Sequence, residues 1–286
     1  RIHRERAASQ INKVDFLFKE TAIRLADKLD DINREFKLAL NLGCHFGETK
    51  SAVSSAHSKV FWVETDLSPL LAKKTRSNLN STALAMDEEL VCFRDKTFDL
   101  VISNLTLHWV NDLPGTLVQI RQALKPDGLF MASILGGETL KELRTSLAEA
   151  EISEENGLSP RISPMADIQD LAQLLQRTGF ALPVVDTETI TVMYSDVITL
   201  MTDLRNMGES NAVIESRKGL MKKSTMAKAV TNYVKKFKND SKKFPATFQI
   251  LTMTGWAPDI SQPKPLKPGS AKYSLIDALT TKTEVD

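Results

Sequence analysis

The sequence predicts a single α/β domain built on a doubly wound, mostly parallel sheet. Three observations predict it. Short apolar runs alternate with helix-patterned segments from about residue 20 to 135. The first run ends in a glycine-bearing turn, Asn41-Leu42-Gly43-Cys44-His45-Phe46-Gly47. An acid, Asp66, follows about twenty residues later at the end of the second run, where sheets of this kind carry a carboxylate facing a ribose diol.

Composition allows such a domain and excludes others. The chain has 286 residues, 42% of them hydrophobic and 26% charged, which suits a globular protein with a sizeable core. Its net charge of +1 sets up no whole-molecule field toward nucleic acid or membrane. Two cysteines, Cys44 and Cys92, exclude a disulfide framework and suit a reducing compartment. No apolar run approaches the ~20 residues of a membrane-spanning helix. The first residues, RIHRERAAS, include Glu5 and do not read as an acid-poor transit peptide.

The elements follow in order. Ile11, Val14, Leu17, Ala22, Leu25 and Leu29 fall at near-helical spacing and predict one or two helices over 11–32. Lys37–Leu42 (KLALNL), Val60–Val63, a weaker Ser81–Met86 and the clear Phe98–Ser103 (FDLVIS) read as buried parallel strands. Leu113–Leu124 reads as a helix stopped by Pro126 and Gly128, and Leu129–Leu135 as a fifth strand. Leu140, Leu143 and Leu147 mark a helical face, and Met165–Arg177 a further helix closed by Gly179. Ala181–Tyr194 alternates like a strand. Val197, Leu200, Met201 and Leu204 form a helix that Gly208 is placed to end, and Phe248–Trp256 is the last strand. The boundaries predicted are a helical segment 1–35, a domain 36–257 with a helical insertion at about 136–240, and an irregular or partner-ordered tail 258–286.

Several residues could carry chemistry. The glycine turn lets backbone approach a nucleotide-like ligand, and Asp66 can accept from a ribose diol. The turn read as a bare structural bend is the competing interpretation. Asn104, His108 and Trp109 follow the fourth strand, at the edge where open α/β sheets bind ligands, and are the candidates for catalysis. A packed Trp and a turn-capping Asn are the plainer readings. Cys44 reads as a small buried thiol rather than a nucleophile. With four scattered histidines, His3, His45, His57 and His108, no metal site is predicted. Between 217 and 243 stand Arg217, Lys218, Lys222, Lys223, Lys228, Lys235, Lys236, Lys238, Lys242 and Lys243, opposed by Asp240 alone. That run is either a solvated helix face or a docking surface for an acidic partner or anionic lipid. Nucleic acid is not expected, since only Tyr233 and Phe237 offer stacking there.

Motif order adds a resemblance. Phe98-Asp99-Leu100-Val101-Ile102-Ser103-Asn104, then Leu124-Lys125-Pro126-Asp127-Gly128, with Asp87 after the third strand, resemble the seven-stranded S-adenosylmethionine-dependent methyltransferases over about 36–135. The resemblance implies a three-layer Rossmann-like fold whose last strand is antiparallel. It also implies S-adenosylmethionine as cofactor, framed by Asn41, Gly43, His45, Gly47, Asp66, Leu67, Asp87 and Asn104.

A narrower set of motifs spans roughly Val14 to Trp256. It comprises His108-Trp109-Val110-Asn111-Asp112-Leu113-Pro114, Gly136-Gly137-Glu138-Thr139-Leu140, Glu142-Leu143-Arg144, Ile162-Ser163-Pro164 and Met207-Gly208-Glu209-Ser210-Asn211, then Pro245-Ala246-Thr247 and Thr254-Gly255-Trp256. Together these resemble the mitochondrial complex I assembly factor 5 family of methyltransferase-like arginine hydroxylases. The bacterial malonyl-carrier-protein methyltransferase of biotin synthesis is a more distant likeness. The family resemblance implies hydroxylation of an arginine in an iron–sulfur subunit of the quinone module, in the mitochondrial matrix against the inner membrane, with a small helical assembly partner. Gly136, Gly137, Glu138, Arg144, Glu209 and Asn211 would then line the substrate mouth.

The chain departs from that pattern where Asn41 replaces the usual Asp and His45 the usual Gly. Losing the acid removes a charge-assisted hydrogen bond to the cofactor's amino end, worth ~1.5–3 kcal/mol. The imidazole either replaces a lost contact or fills the pocket. Two alternatives stand beside hydroxylation: methyl transfer to a carboxylate or other acceptor, and a non-catalytic assembly chaperone that has lost cofactor binding.

Overall fold

Leu38–Leu42 (LALNL) is apolar on both faces but for Asn41, so it needs cover on both sides and a central place in a sheet. The computed structural model of the chain gives it that place. The structure describes residues 1–53, 57–79, 81–214, 216, 219–238, 242–264, 269–270 and 274. In chain order the elements are α1 Ile2–Ala7, a 3-10 turn Ile11–Lys13, α2 Phe16–Asp30, β1 Leu38–Leu42, α3 Glu48–Ala52, β2 Phe61–Asp66, α4 Pro69–Leu79 and β3 Thr82–Ala85. They continue with β4 Phe98–Asn104, a 3-10 turn Leu107–Trp109, α5 Leu113–Ala123, β5 Leu124–Leu135, α6 Lys141–Glu155, α7 Ile168–Arg177, β6 Ala181–Tyr194, α8 Val197–Met207, α9 Lys223–Phe237 and β7 Phe244–Trp256.

The seven strands order as β3-β2-β1-β4-β5-β7-β6. β1 to β5 pair in parallel, and β7 runs antiparallel between β5 and β6. This is the Rossmann-like methyltransferase arrangement, with the last strand reversed. Chain order changes direction between β1 and β4, which puts the ligand-accepting crevice at their carboxyl ends. Apolar clusters fill both sides of the sheet. Leu25 and Leu29 of α2 pack with Trp62, Leu100 and Met131, while Leu117 and Ile120 of α5 and Leu171 and Leu175 of α7 pack with Phe130 and Met253. A third cluster joins α2, α6, α8 and α9 over the carboxyl edge through Phe18, Leu143, Leu200, Tyr233 and Phe248.

Helix ends follow local chemistry. Asp112 caps α5 by accepting from Gly115 N at 2.9 Å, and Asp196 caps α8 by accepting from Thr199 N at 2.7 Å. Gly208 ends α8 at φ +88, the left-handed turn only glycine adopts freely.

The structure moves several predicted boundaries. The fifth strand begins at Leu124, so the helix stops one residue earlier and Pro126 and Gly128 lie inside the strand. The β4–β5 register shifts between Phe98 and Leu100, an irregularity that leaves Pro126 without a ladder bond to donate. The third strand shortens to Thr82–Ala85, and α7 starts at Ile168 behind its cap Asp167. The last strand starts four residues early, at Phe244, because β6 extends to Tyr194 and pairs with it. Within 136–240, α7 and β6 belong to the frame, and the added helices are α6, α8 and α9.

Candidate functional site

The turn after β1 is shaped by what touches it. Gly43 takes φ +77, and a Cβ there would lie 2.1 Å from Thr106 Oγ1, so the chain needs glycine at this point. Gly43 N and Cys44 N both donate to Thr65 O, which ties the turn to the end of β2. His45 N then donates to Asp66 Oδ2 at 3.1 Å, and Ser68 N to Asp66 Oδ1 at 2.8 Å. The glycine turn and Asp66 thus share one edge and one crevice.

That crevice is filled by the chain itself. The His45 ring is buried, with Nε2 2.9 Å from Asn104 O and 3.0 Å from Thr106 Oγ1, and it lies against Phe18 of α2 at 4.3 Å between centroids. Burial first, and the Arg4 charge second, lower its pKa to about 4, so the ring is neutral near pH 7. Asn104 is held on both ends of its amide: Nδ2 donates to Phe18 O at 2.8 Å, and Oδ1 accepts from Ser133 Oγ at 2.7 Å. Asn41 donates through Nδ2 to Glu64 Oε2 at 2.7 Å, strand to strand. Glu64 is fully buried, and burial pushes its pKa up to about 7 against the opposing Asn41 bond.

Two acids follow β3. Asp87 is exposed and accepts from Glu89 N, capping its own turn. The neighbouring Glu88 points inward and is 3% exposed. Its carboxylate receives Arg4 Nη1 at 2.5 Å, and the same nitrogen stands 3.7 Å from Asp66 Oδ1. Burial alone would lower the Arg4 pKa, but the charges of Glu88 and Asp66 more than reverse this, and the guanidinium stays charged. Asp66 is raised by burial, which the Arg4 charge opposes. The intermediate Leu67 lines a cavity of about 380 Å³ with His3, Arg4 and Trp109.

These contacts decide how the site meets S-adenosylmethionine. Of the side chains expected to frame that cofactor, Asn41, His45, Asp66 and Asn104 are held by their neighbours, by Arg4 and by α2. His45 fills the pocket rather than supplying a contact to a ligand. As folded here, the residues do not fit the cofactor.

Beyond β4 three expected residues converge. His108 Nε2 lies 3.1 Å from Glu209 Oε2, and Trp109 Nε1 donates to Glu209 Oε1 at 3.1 Å. Glu209 has a lowered pKa: burial opposes the shift, and His108, through charge and hydrogen bond, outweighs it together with Trp109. Glu209, Trp109 and Asn211 line a second cavity of about 290 Å³ with Arg161, Met201 and Phe248. Asn211 is partly tied down, its Nδ2 donating to Pro160 O at 2.8 Å and its Oδ1 accepting from Ser163 Oγ at 3.2 Å.

The other substrate-mouth candidates form a separate loop. Gly136 N donates to Gln249 O, and a Cβ on Gly136 would meet that Gln249 side chain at 2.6 Å. Exposed Arg144 donates to Gly137 O and Thr139 O, and exposed Glu138 pairs with Lys141. Gly137 and Arg144 line a shallower depression that shares Ile162 and Ser163 with the Glu209 cavity.

Cys44 is buried beside Thr75 Oγ1 at 3.5 Å, and burial raises its thiol well above the ordinary range, which makes it inert. His3 and Glu5 carry a His-x-Glu spacing in α1, but His3 Nδ1 lies 3.1 Å from Ser210 O. Among the described residues no group of His, Cys, Asp or Glu side chains converges as a metal cluster would. In the basic segment Arg217, Lys218 and Asp240 lie outside the described residues. α9 buries Ala229 and Tyr233 on α6 and β7, and Lys236 pairs with Glu149. Among the described residues no helix is long and apolar enough to cross a membrane.

Comparison with known proteins agrees with this frame. The family described as "Methyltransferase domain" matches residues 40–132. The chain is 44% identical over 269 residues to "Arginine-hydroxylase NDUFAF5, mitochondrial" of Danio rerio, covering 93% of this chain and 83% of that protein. It is 42% identical over 263 residues to the Homo sapiens protein of the same name, covering 92% and 76%. A "Malonyl-[acyl-carrier protein] O-methyltransferase" of Methylovorus is 29% identical, covering 92% of this chain and 90% of its own. Among solved structures, the YcgJ protein of Bacillus subtilis superposes with a TM-score of 0.58 at 12% identity, covering 84% of this chain and 99% of that one. Haemonchus contortus phosphoethanolamine N-methyltransferase 2, solved with S-adenosyl-L-methionine, gives 0.55 at 15% identity, covering 88% and 57%.

Proposed function

The chain belongs to the NDUFAF5 arginine-hydroxylase family, and from that membership we propose that it is a mitochondrial enzyme that hydroxylates a protein arginine. One observation carries the reading: identity of 42–44% sustained over 92–93% of the chain to vertebrate proteins of that name.

The finer reading places the chain in the matrix, peripheral to the inner membrane. Its substrate is an arginine of an iron–sulfur subunit of the complex I quinone module, met early in assembly beside a small helical partner. The Lys-rich face of α9 is the contact this reading assigns to the membrane side.

The chemistry asks two things of these residues. A guanidinium must be received with its charge matched, and the reacting carbon must be held still in a site shielded from water. Glu209 supplies negative charge to the cavity of about 290 Å³ that Trp109 walls, while buried Asp66 and Glu88 face Arg4 beside the neighbouring cavity of about 380 Å³. Glu209 fixes both His108 and Trp109 and so keeps that wall rigid. Neutral His45 adds no positive charge to repel a guanidinium. No step is assigned to S-adenosylmethionine, whose cradle is filled.

Mass spectrometry of complex I subunits from cells lacking this protein tests the reading. The expected result is loss of one oxygen atom's mass from a subunit arginine; a modification that persists refutes it. The filled cradle also favours a second reading, an assembly chaperone that acts without cofactor or catalysis. In that case assembly is restored by variants of the chain while the arginine stays unmodified.

A further inference from the structure

The cavity of about 290 Å³ has an apolar wall and a buried carboxylate. Leu135, Leu147, Met201, Leu204 and Phe248 line it, and Glu209 lines it with them. The Glu209 side chain is 8% exposed. The volume lies just under the ~300–1,000 Å³ of pockets that bury a whole small ligand, so it suits one long side chain rather than a nucleoside-bearing molecule.

The carboxylate is only half used. Oε1 accepts from Trp109 Nε1 and Oε2 from His108 Nε2, both at 3.1 Å. A carboxylate has about four acceptor positions, so one remains on each oxygen. One acceptor per oxygen is what two N–H groups of a planar guanidinium match, whereas an ammonium meets the pair as a point charge. Trp109 lines the same cavity, and indole is the aromatic ring that attracts a cation best. Two arginines also line it, and neither pairs with Glu209 among the described residues. Arg161 donates through Nε and Nη2 to Glu151 Oε1 at 3.0 and 2.5 Å. Arg205 is exposed near the end of α8, where solvent screens its charge.

A peptide has room beside this cavity. The shallower depression, about 470 Å³, shares Pro160, Ile162, Ser163 and Met165 with it and extends to Gly137 and Arg144.

We propose that Glu209 is the residue that selects the substrate's arginine. The peptide main chain lies in the depression beside Gly137 and Arg144. The arginine stem runs along the apolar wall, and its guanidinium takes the two open acceptor positions of Glu209. The substrate's identity rests on the arginine-hydroxylase reading, and the position of the site on the geometry alone. His108 and Trp109 are then positioning residues, which hold fixed the carboxylate that does the selecting.

The test uses the full chain and a capped tripeptide with arginine between two glycines, beside its citrulline and lysine counterparts. Citrulline keeps the shape of arginine and loses the charge. By calorimetry, the wild type binds the arginyl peptide at least ~10-fold more tightly than the citrullyl one, and the lysyl peptide also binds worse than the arginyl. Glu209→Gln abolishes this preference, weakening the arginyl peptide at least ~10-fold and leaving the citrullyl peptide little changed. A purely structural role would weaken both peptides alike. Met201→Trp, which fills the cavity from a half-buried position on α8, weakens the arginyl peptide as well. If Glu209→Gln does not fold, the three peptides on the wild type and Met201→Trp decide the matter. Equal binding of arginyl and citrullyl peptides by the wild type overturns the proposal. So does a preference for arginine that Glu209→Gln or Met201→Trp leaves intact. Failure of the peptide arm while the subunit mass spectra still show the lost oxygen removes Glu209 as the selector and leaves the hydroxylase reading standing. An arginine that stays modified in cells lacking the protein refutes that reading, whatever the peptides show.

Discussion

Replacing Glu64 with glutamine should stabilise the protein, and only above a particular pH. Glu64 lies on β2 opposite Asn41 of β1, fully buried, with Oε2 accepting from Asn41 and Oε1 without a partner among the described residues. Burial raises its pKa from 4.5 to about 7. A carboxyl whose folded pKa exceeds its unfolded value binds more protons in the native state between the two values. Stability is therefore full below about pH 4.5 and falls as pH rises through about 7. The shift of about 2.5, at 1.36 kcal/mol per unit, sets a penalty on the order of 3 kcal/mol at pH 8. Glu64→Gln keeps the size and removes the charge. Urea denaturation of both proteins from about pH 4.5 to 8 should show the variant more stable by roughly 2–3 kcal/mol at the alkaline end, with the gap closing on acidification. Glu48, also raised to about 7 by burial, keeps titrating in both proteins and cancels in the difference. A gap that is absent at pH 8, or equally large at pH 4.5, refutes the reasoning.

Asn41→Asp should act in the opposite sense. It sets a second carboxylate against Glu64 and removes the amide donor, so urea melts at pH 8 should fall by roughly 1–3 kcal/mol, and calorimetry should show no gain of S-adenosylmethionine binding. Gly43→Ala should cost about 2 kcal/mol or more, since its positive φ strains any side chain and its Cβ meets Thr106; a melt within error of the wild type would contradict this. Glu209→Gln should weaken the clamp on His108 and Trp109. Because the folded pKa of Glu209 is depressed, its contribution is present above the unfolded value near 4.5 and is lost as pH falls through the lower folded value. The variant should therefore differ from the wild type near pH 7 and match it in strong acid, as read by Trp fluorescence during denaturation.

The frame was legible because parallel strands bury both faces and announce themselves as continuous apolar runs. LALNL and FDLVIS are such runs, and both are strands in the sheet's centre. The bend at Gly43 and the acid at Asp66 were legible together, since each marks the carboxyl end of a strand. The errors sit where tertiary pairing overrides local signals. Pro126 and Gly128 looked like a stop, but the shifted β4–β5 register lets β5 run through them. Phe244–Thr247 joined the last strand because β6 was long enough to receive it. At the site, Asp87 and Glu88 are adjacent acids, and which of them turns inward depends on loop phase, which spacing does not encode. Arg4 carried no motif, and its partner stands 84 residues away. His108, Trp109 and Glu209 were each named from sequence, yet nothing in their spacing of about a hundred residues told that one carboxylate would hold both rings.

The reversed strand β7 has a consequence for how the molecule comes into being. It wedges between β5 and β6, so until residues 244–256 exist β5 lacks its outer neighbour and β6 has no neighbour in the sheet. A polypeptide emerging from a ribosome or threading through an import channel, amino end first, would carry the raw outer edge of β5 and a wholly unpaired β6 until its last strand followed. A chain cut short before Phe244 would not be a slightly smaller version of this protein. It would be one whose sheet stops at a bare β5 with β6 left unpaired, a ready target for aggregation and quality-control proteolysis.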